Sequence, residues 1–316
     1  MTDAPKPRAR RTSRLRIAGI IVGIALVYAV VVALYAISGQ VTLTGTGDTT
    51  DGKGEELLVS PQSVDPVQDH ITIGVELRPT GDLAGDEAGL SLTEPLTMVL
   101  TGTTGPRSYD FDADVALSPV QATFLTDGDV QVWPFDTHTF TTMVGVLRHT
   151  ADGDGEPLEL DWSAYGSSIP GWTFAVGVDP IPADDGSDSN LYALTVTAHR
   201  SGATVAFGIV LLLLMIAMPV LVLIVAISVY RGTRKVEATL MSWIGAMLFA
   251  TIPLRGFLPG SPPIGSWIDY LIVLWVIAGL VVGLVIYVAA FLRWSPRPSS
   301  PDRWKEPAPP PDRPAA

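Results

Sequence analysis

Apolar residues are distributed along this chain in two distinct rhythms. Three nearly unbroken apolar runs occupy 205–230, 236–254 and 267–292, and a fourth occupies 17–37. Each is near or above the ~20 residues a helix needs to cross a bilayer. Between them, 55–200 changes to short runs rich in β-branched and aromatic residues: 70–77, 96–100, 120–125, 130–133, 137–147, 172–178 and 192–198. Turn clusters such as Pro79-Thr-Gly-Asp82 and Thr126-Asp-Gly-Asp129 separate them. Seven or more short strands at this spacing predict an antiparallel sandwich or barrel. The expected architecture is therefore membrane α+β: an extracytoplasmic antiparallel β-sandwich plus four transmembrane helices, one N-terminal and three C-terminal. The rest reads as a basic tail over 1–16, a flexible stalk rich in Thr, Gly and Asp over 38–54, and a disordered Pro-rich tail over 293–316.

Charge orients this pattern. Lys6, Arg8, Arg10, Arg11, Arg14 and Arg16 precede the first apolar run, and Arg231, Arg234 and Lys235 fill the turn between the second and third. Arg293, Arg297, Arg303, Lys305 and Arg313 follow the fourth. Short basic loops stay in the cytoplasm, so one topology fits every loop: a multi-pass plasma-membrane protein with both termini inside and the β domain outside. The first run is 21 residues long, longer than the apolar core of a secretory signal. It reads as an uncleaved helix.

From 40 to 200 there are 26 Asp and Glu against five Lys and Arg. So acidic a domain argues against nucleic acid as a partner. Its simplest role is solubility beside anionic headgroups. Cysteine is absent, which removes disulfides, thiolate metal sites and Cys nucleophiles.

Candidate chemistry is sparse. Asp152-Gly-Asp154-Gly-Glu156 opens like a calcium loop, but Pro157 stands where such a loop requires Gly, and hairpin-turn chemistry explains it better. His70, His138, His149 and His199 show no metal-ligand spacing. No Gly-x-Ser-x-Gly sequence supports a serine nucleophile. Ionisable residues stay at the ends of the apolar runs, as Glu237, Arg255 and Asp269 do, whereas pumps need charge within the membrane. We expect no enzyme activity and no cofactor.

The most specific stretch is Val130-Gln-Val-Trp133-Pro134-Phe135-Asp136, an apolar tip at a turn. Loops are usually polar, so this tip is expected to be buried against the helices, with Asp136 paired to a basic residue. Arg200 and Arg255 are the candidate partners, Arg200 the favoured one. Alternatively, Trp133 and Phe135 belong to the sandwich core and Asp136 caps the turn. Arg255 and Asp269 flank the external loop and form a second candidate pair. The expected domain–membrane coupling set is therefore Trp133, Pro134, Phe135, Asp136, Arg200, Arg255 and Asp269.

The Pro-Phe-Asp turn, Arg200 ahead of a helix, and Phe257-Leu-Pro after the next one resemble pentameric ligand-gated ion channels. In that family the turn lies at the base of an extracellular β-sandwich and touches the membrane helices. The sequence departs from it in lacking the Cys pair and a helix after the fourth apolar run. The whole layout also resembles an actinobacterial, mycobacterial-type family of integral membrane proteins known only as a domain of unknown function. These features lead us to expect non-enzymatic sensing, binding or scaffolding in the cell envelope, with an oligomeric channel as the alternative. The expected partners are the lipid bilayer, a second copy of the chain in a homo-oligomer, and an envelope partner or ligand of unknown identity.

Overall fold

The computed structural model describes residues 41–44, 55–86, 89–149, 155–164, 169–183 and 188–294, with helical positions between 19 and 36. The expected basic tail, and all but the first two residues of the Pro-rich tail, lie outside the described residues. Two compact units divide the chain: Met1–Leu212 with Gly256–Leu271, and Leu213–Arg255 with Ile272–Ala316.

The first unit holds two sheets. One runs in the order β1 (Val41–Thr44), β11 (Trp172–Pro182), β12 (Asp188–Arg200), β8 (Thr137–His149), β4 (Leu96–Leu100) and β5 (Ser108–Phe111). Two short strands, β7 (Asp127–Gly128) and β9 (Gly155–Pro157), also pair with β8. The other runs β10 (Leu160–Ala164), β2 (Glu55–Asp65), β3 (His70–Arg78) and β6 (Val120–Leu125). Side chains alternate along each strand, and the inward set closes one core. Trp172, Phe174, Val176, Leu194 and Val196 of the first sheet share it with Leu57, Val59, Ile71, Ile73 and Val75 of the second. The Phe124 and Phe140 rings stack at 4.3 Å. Each such burial contributes about 1.5–3 kcal/mol.

Three local expectations change. The sandwich is not wholly antiparallel, because β1 runs parallel to β11 and β10 parallel to β2. Both pairs join segments distant in sequence, which frees them from hairpin geometry. Within the expected stalk, Val41–Thr44 is this β1 strand, consistent with its β-branched Val41, Thr42 and Thr44; positions 45–54 lie outside the described residues. The stretch 130–133, expected as a strand, is a 3-10 turn over Val130–Val132, held by the Asp129 carboxylate accepting the Gln131 N–H at 2.9 Å. Strand β2 was hidden from the pattern by Pro61, which the fold tolerates at a register shift between Pro61 and Ser63.

Among the described residues, three helices are long and apolar enough to cross a membrane. They are α1 (Gly202–Tyr230), α2 (Ala238–Gly256), and α3 (Leu274–Trp294) with the π-helical turn Asp269–Val273 leading into it. Their mean hydropathies are 3.3, 1.3 and 2.9. Every boundary lies within three residues of the apolar run that predicts it. The first run, 17–37, is helical at the described positions between 19 and 36. In the second unit, a Cβ added at Gly279 would lie 2.9 Å from Pro219, and one at Gly283 would meet Val222. Glycines four apart thus let α1 and α3 approach closely, as membrane helices do. The buried Tyr287 hydroxyl donates to the Glu237 carbonyl at 2.6 Å and accepts its N–H at 3.1 Å, pinning the start of α2.

Candidate functional site

Strand β12 ends at Arg200, and α1 begins at Gly202. Ser201 is the whole connection. Its side-chain oxygen accepts the Thr204 N–H at 3.3 Å, the bond by which a serine caps a helix start. Its own N–H donates to the Gly171 carbonyl at 2.9 Å. A one-residue joint leaves little slack between the sheet and the helix.

Arg200, at this joint, is buried together with Asp136. Its Nε lies 3.0 and 3.1 Å from the two carboxylate oxygens, and its second terminal nitrogen donates to Oδ2 at 3.0 Å. The guanidinium also lies 4.2 Å over the Trp172 ring, which pairs with it across β11 and β12. A planar fork that binds a carboxylate at two points while stacking on an indole is a role lysine cannot fill.

His138, fully buried, completes the cluster. Its Nε2 lies 3.3 Å from Asp136 Oδ2, and its Nδ1 lies 3.9 Å from Asp69 Oδ1. Its ring meets Trp172 edge-on at 5.8 Å. Burial pushes the Asp136 carboxyl up, but the hydrogen bonds from His138 and Arg200 and the guanidinium charge outweigh it and hold the group below its ordinary value.

The turn is fastened at its other end by Trp133, which is 2% exposed. The indole N–H donates to the Pro259 carbonyl at 2.9 Å. The ring packs so tightly on Gly208 of α1 that an added Cβ would fall 2.7 Å from it. Gly260 has φ of +72° and lies against the Arg200 guanidinium, which a side chain there would strike. Glycine is required twice over: by the left-handed backbone and by the close approach. The Trp133–Pro134 peptide is cis.

The structure thus brings Trp133, Pro134, Asp136 and Arg200 together, all buried. Phe135 departs from the expectation: it is 68% exposed. Asp269 begins the π-helical turn, where its Oδ2 accepts the Gly265 N–H at 2.9 Å and stabilises the 256–271 loop. Arg255 lies in the last turn of α2, in the second unit. Sequence reasoning missed His138, Trp172, Gly208 and Gly260. Only His138 carried a signal: two residues from Asp136 in an extended segment, it presents its side chain to the same face. Among the described residues, no group of three or more His, Asp or Glu is arranged to hold a metal ion.

The Asp136–Arg200 pair also joins two regions that comparison separates. No curated protein matches the chain. Residues 45–197 match a family model described as Domain of unknown function (DUF4436), and residues 200–294 match one described as Domain of unknown function (DUF8686).

Proposed function

We propose that this chain is an integral membrane protein whose external β-sandwich senses, binds or scaffolds in the cell envelope, and that the 133–136 turn couples that sandwich to the helices. The observation that carries this reading is the docked turn: Asp136 locked to Arg200 two residues before α1, and Trp133 bonded to the loop that follows α2. The domain has no catalytic role in this reading.

A binding role draws support from an open cleft of about 460 Å³ lined by Gly102, Phe124, Leu125, Asp127, Thr139, Phe140 and Thr141. Its size is that of a small-molecule site. Asp127 belongs to β7, and Asp129, one residue beyond β7, caps the turn that leads to Trp133. A ligand seated there would therefore bear on the segment that docks the helices. The ordering of basic loops supports a four-helix topology with both termini cytoplasmic. Reporter fusions at Thr49 and Ser187 are expected to read outside, and fusions at Thr233 and after Arg303 inside; a cytoplasmic signal from Ser187 would overturn the reading.

An oligomeric channel is the second reading. It is favoured by the position of the Pro-Phe-Asp turn at the joint between a β-sandwich and an apolar helix. A pentamer that passes ions in liposomes would select it; a monomer or dimer without flux would select the binding module.

A further inference from the structure

The β domain is acidic, yet the docked turn and the segment after α2 to which it is bonded carry large exposed apolar groups. Phe135, Phe257, Ile264, Trp267 and Tyr270 are 57–93% exposed. All five belong to the unit formed by Met1–Leu212 with Gly256–Leu271. Residues 256–268 contain no ionisable side chain. Phe135 follows two residues after Trp133, which is fastened to this loop through Pro259. Four of the five fall within 257–270, and large exposed apolar groups gathered in this way mark an interaction surface.

The length of α1 indicates what covers it. Its 29 residues span about 43 Å at 1.5 Å per residue. A hydrocarbon core of about 30 Å takes up about 20 of them. About nine residues of α1 are therefore in excess of the hydrocarbon span, and the Trp133 ring packs near the start of the helix, on Gly208, where such an excess reaches into the headgroup layer. The chain enters an apolar helix on each side of the loop, α2 ending at Gly256 and the π-helical turn starting at Asp269. Tryptophan, tyrosine and phenylalanine without charge are the composition of a membrane interface.

We propose that Phe135, with the rim formed by Phe257, Ile264, Trp267 and Tyr270, is seated in the headgroup layer of the outer leaflet, so that the β domain binds lipid through its own coupling turn. This rests on the membrane reading above and adds a lipid contact made by the external domain itself. Lipid rather than a second copy is the occupant because the rim is continuous along the chain with the membrane-crossing helices.

The absence of cysteine makes a clean test available. Phe135→Cys, at an exposed position, is labelled with an environment-sensitive fluorophore. The full chain is then placed in nanodiscs of three parts phosphatidylcholine to one part phosphatidylglycerol. Quenching is read with lipids carrying a nitroxide at the headgroup or at shallow acyl depth, with a mid-chain nitroxide for the lipid reference, and with aqueous iodide. Val115→Cys, exposed in a loop beside Leu92, is the aqueous reference, and Val281→Cys, exposed on α3, the lipid reference. The expected result is strong quenching at position 135 by both lipid nitroxides, with iodide quenching several-fold below that at position 115. Iodide quenching equal to that at 115, with the lipid probes silent, would overturn the proposal. So would self-quenching relieved by unlabelled protein, which would assign the surface to a second copy. If position 281 also escaped the lipid probes, the membrane reading itself would fail.

Discussion

Replacing Arg200 by alanine is expected to destabilise the β-sandwich unit by about 3–5 kcal/mol, the cost of leaving a buried carboxylate without its charge partner. Asp136 would keep His138 at 3.3 Å but lose the two-point guanidinium contact. Arg200→Lys should fail nearly as badly, because an ammonium cannot both fork across the carboxylate and stack on Trp172. The double replacement Asp136→Leu with Arg200→Met should recover much of the loss, since no charge is then stranded. Near-ultraviolet circular dichroism during thermal melts of the detergent-solubilised chain would rank these variants. The same pair sets an acid limit. The Asp136 carboxyl in the folded state lies below its ordinary value, so the stability it contributes is present above the unfolded-state value of about 3.9 and is lost as pH falls through the folded one. This contribution should therefore begin to fall as pH drops through the usual carboxylate range and be gone only below the folded value in the parent protein. Equal losses for the single and double variants would show that the pair is not the source of this stability.

Replacing Trp133 by alanine is the second large expected effect. It empties the space against Gly208 and removes the bond to Pro259, a change of about 3–5 kcal/mol for a buried aromatic. Trp133→Phe keeps part of the ring but loses both the N–H and the far edge of the indole that meets Gly208, for about 2–3 kcal/mol. The distinguishing measurement is amide hydrogen exchange over 256–260. Protection there should fall strongly with alanine and less with phenylalanine, while Leu194 and Val196, in the sheet interior, stay protected. Unchanged exchange over 256–260 in the alanine variant would mean that Trp133 does not hold this loop.

Apolar runs and period-two alternation made most of this architecture legible. The three C-terminal helices are plain because some twenty consecutive apolar residues have few other uses. The central strands are plain because Phe174, Val176 and Val178, or Leu194, Val196 and Ala198, occur at alternate positions. What stayed hidden obeys non-local rules. β1 and β10 add to sheet edges in parallel, and nothing local to Val41–Thr44 names β11 as its neighbour. β2 is masked by Pro61, whose place at a register shift depends on the partner strand. In the site, Asp136 and Arg200 were legible because a carboxylate within an apolar turn demands a cation, and Arg200 is a basic residue next to a helix. Trp172 and Gly260 were not, because their roles come from what lies across the sheet or in a distant loop. Phe135 shows the limit of the apolar-tip argument. Burial of a tip does not extend to every residue in it: Phe135 is 68% exposed.

Cysteine crosslinking tests the docked turn most directly. The chain has no native cysteine, so one is placed at position 135 and a second is moved through 256–260. A short bifunctional thiol reagent is then applied to the folded protein in detergent. Intramolecular bridging is expected at one or more of these positions, with parental melting behaviour kept. Absence of a bridge across the whole scan, in variants that remain folded, would place the turn away from the loop and contradict the coupling of the β-sandwich to the helices.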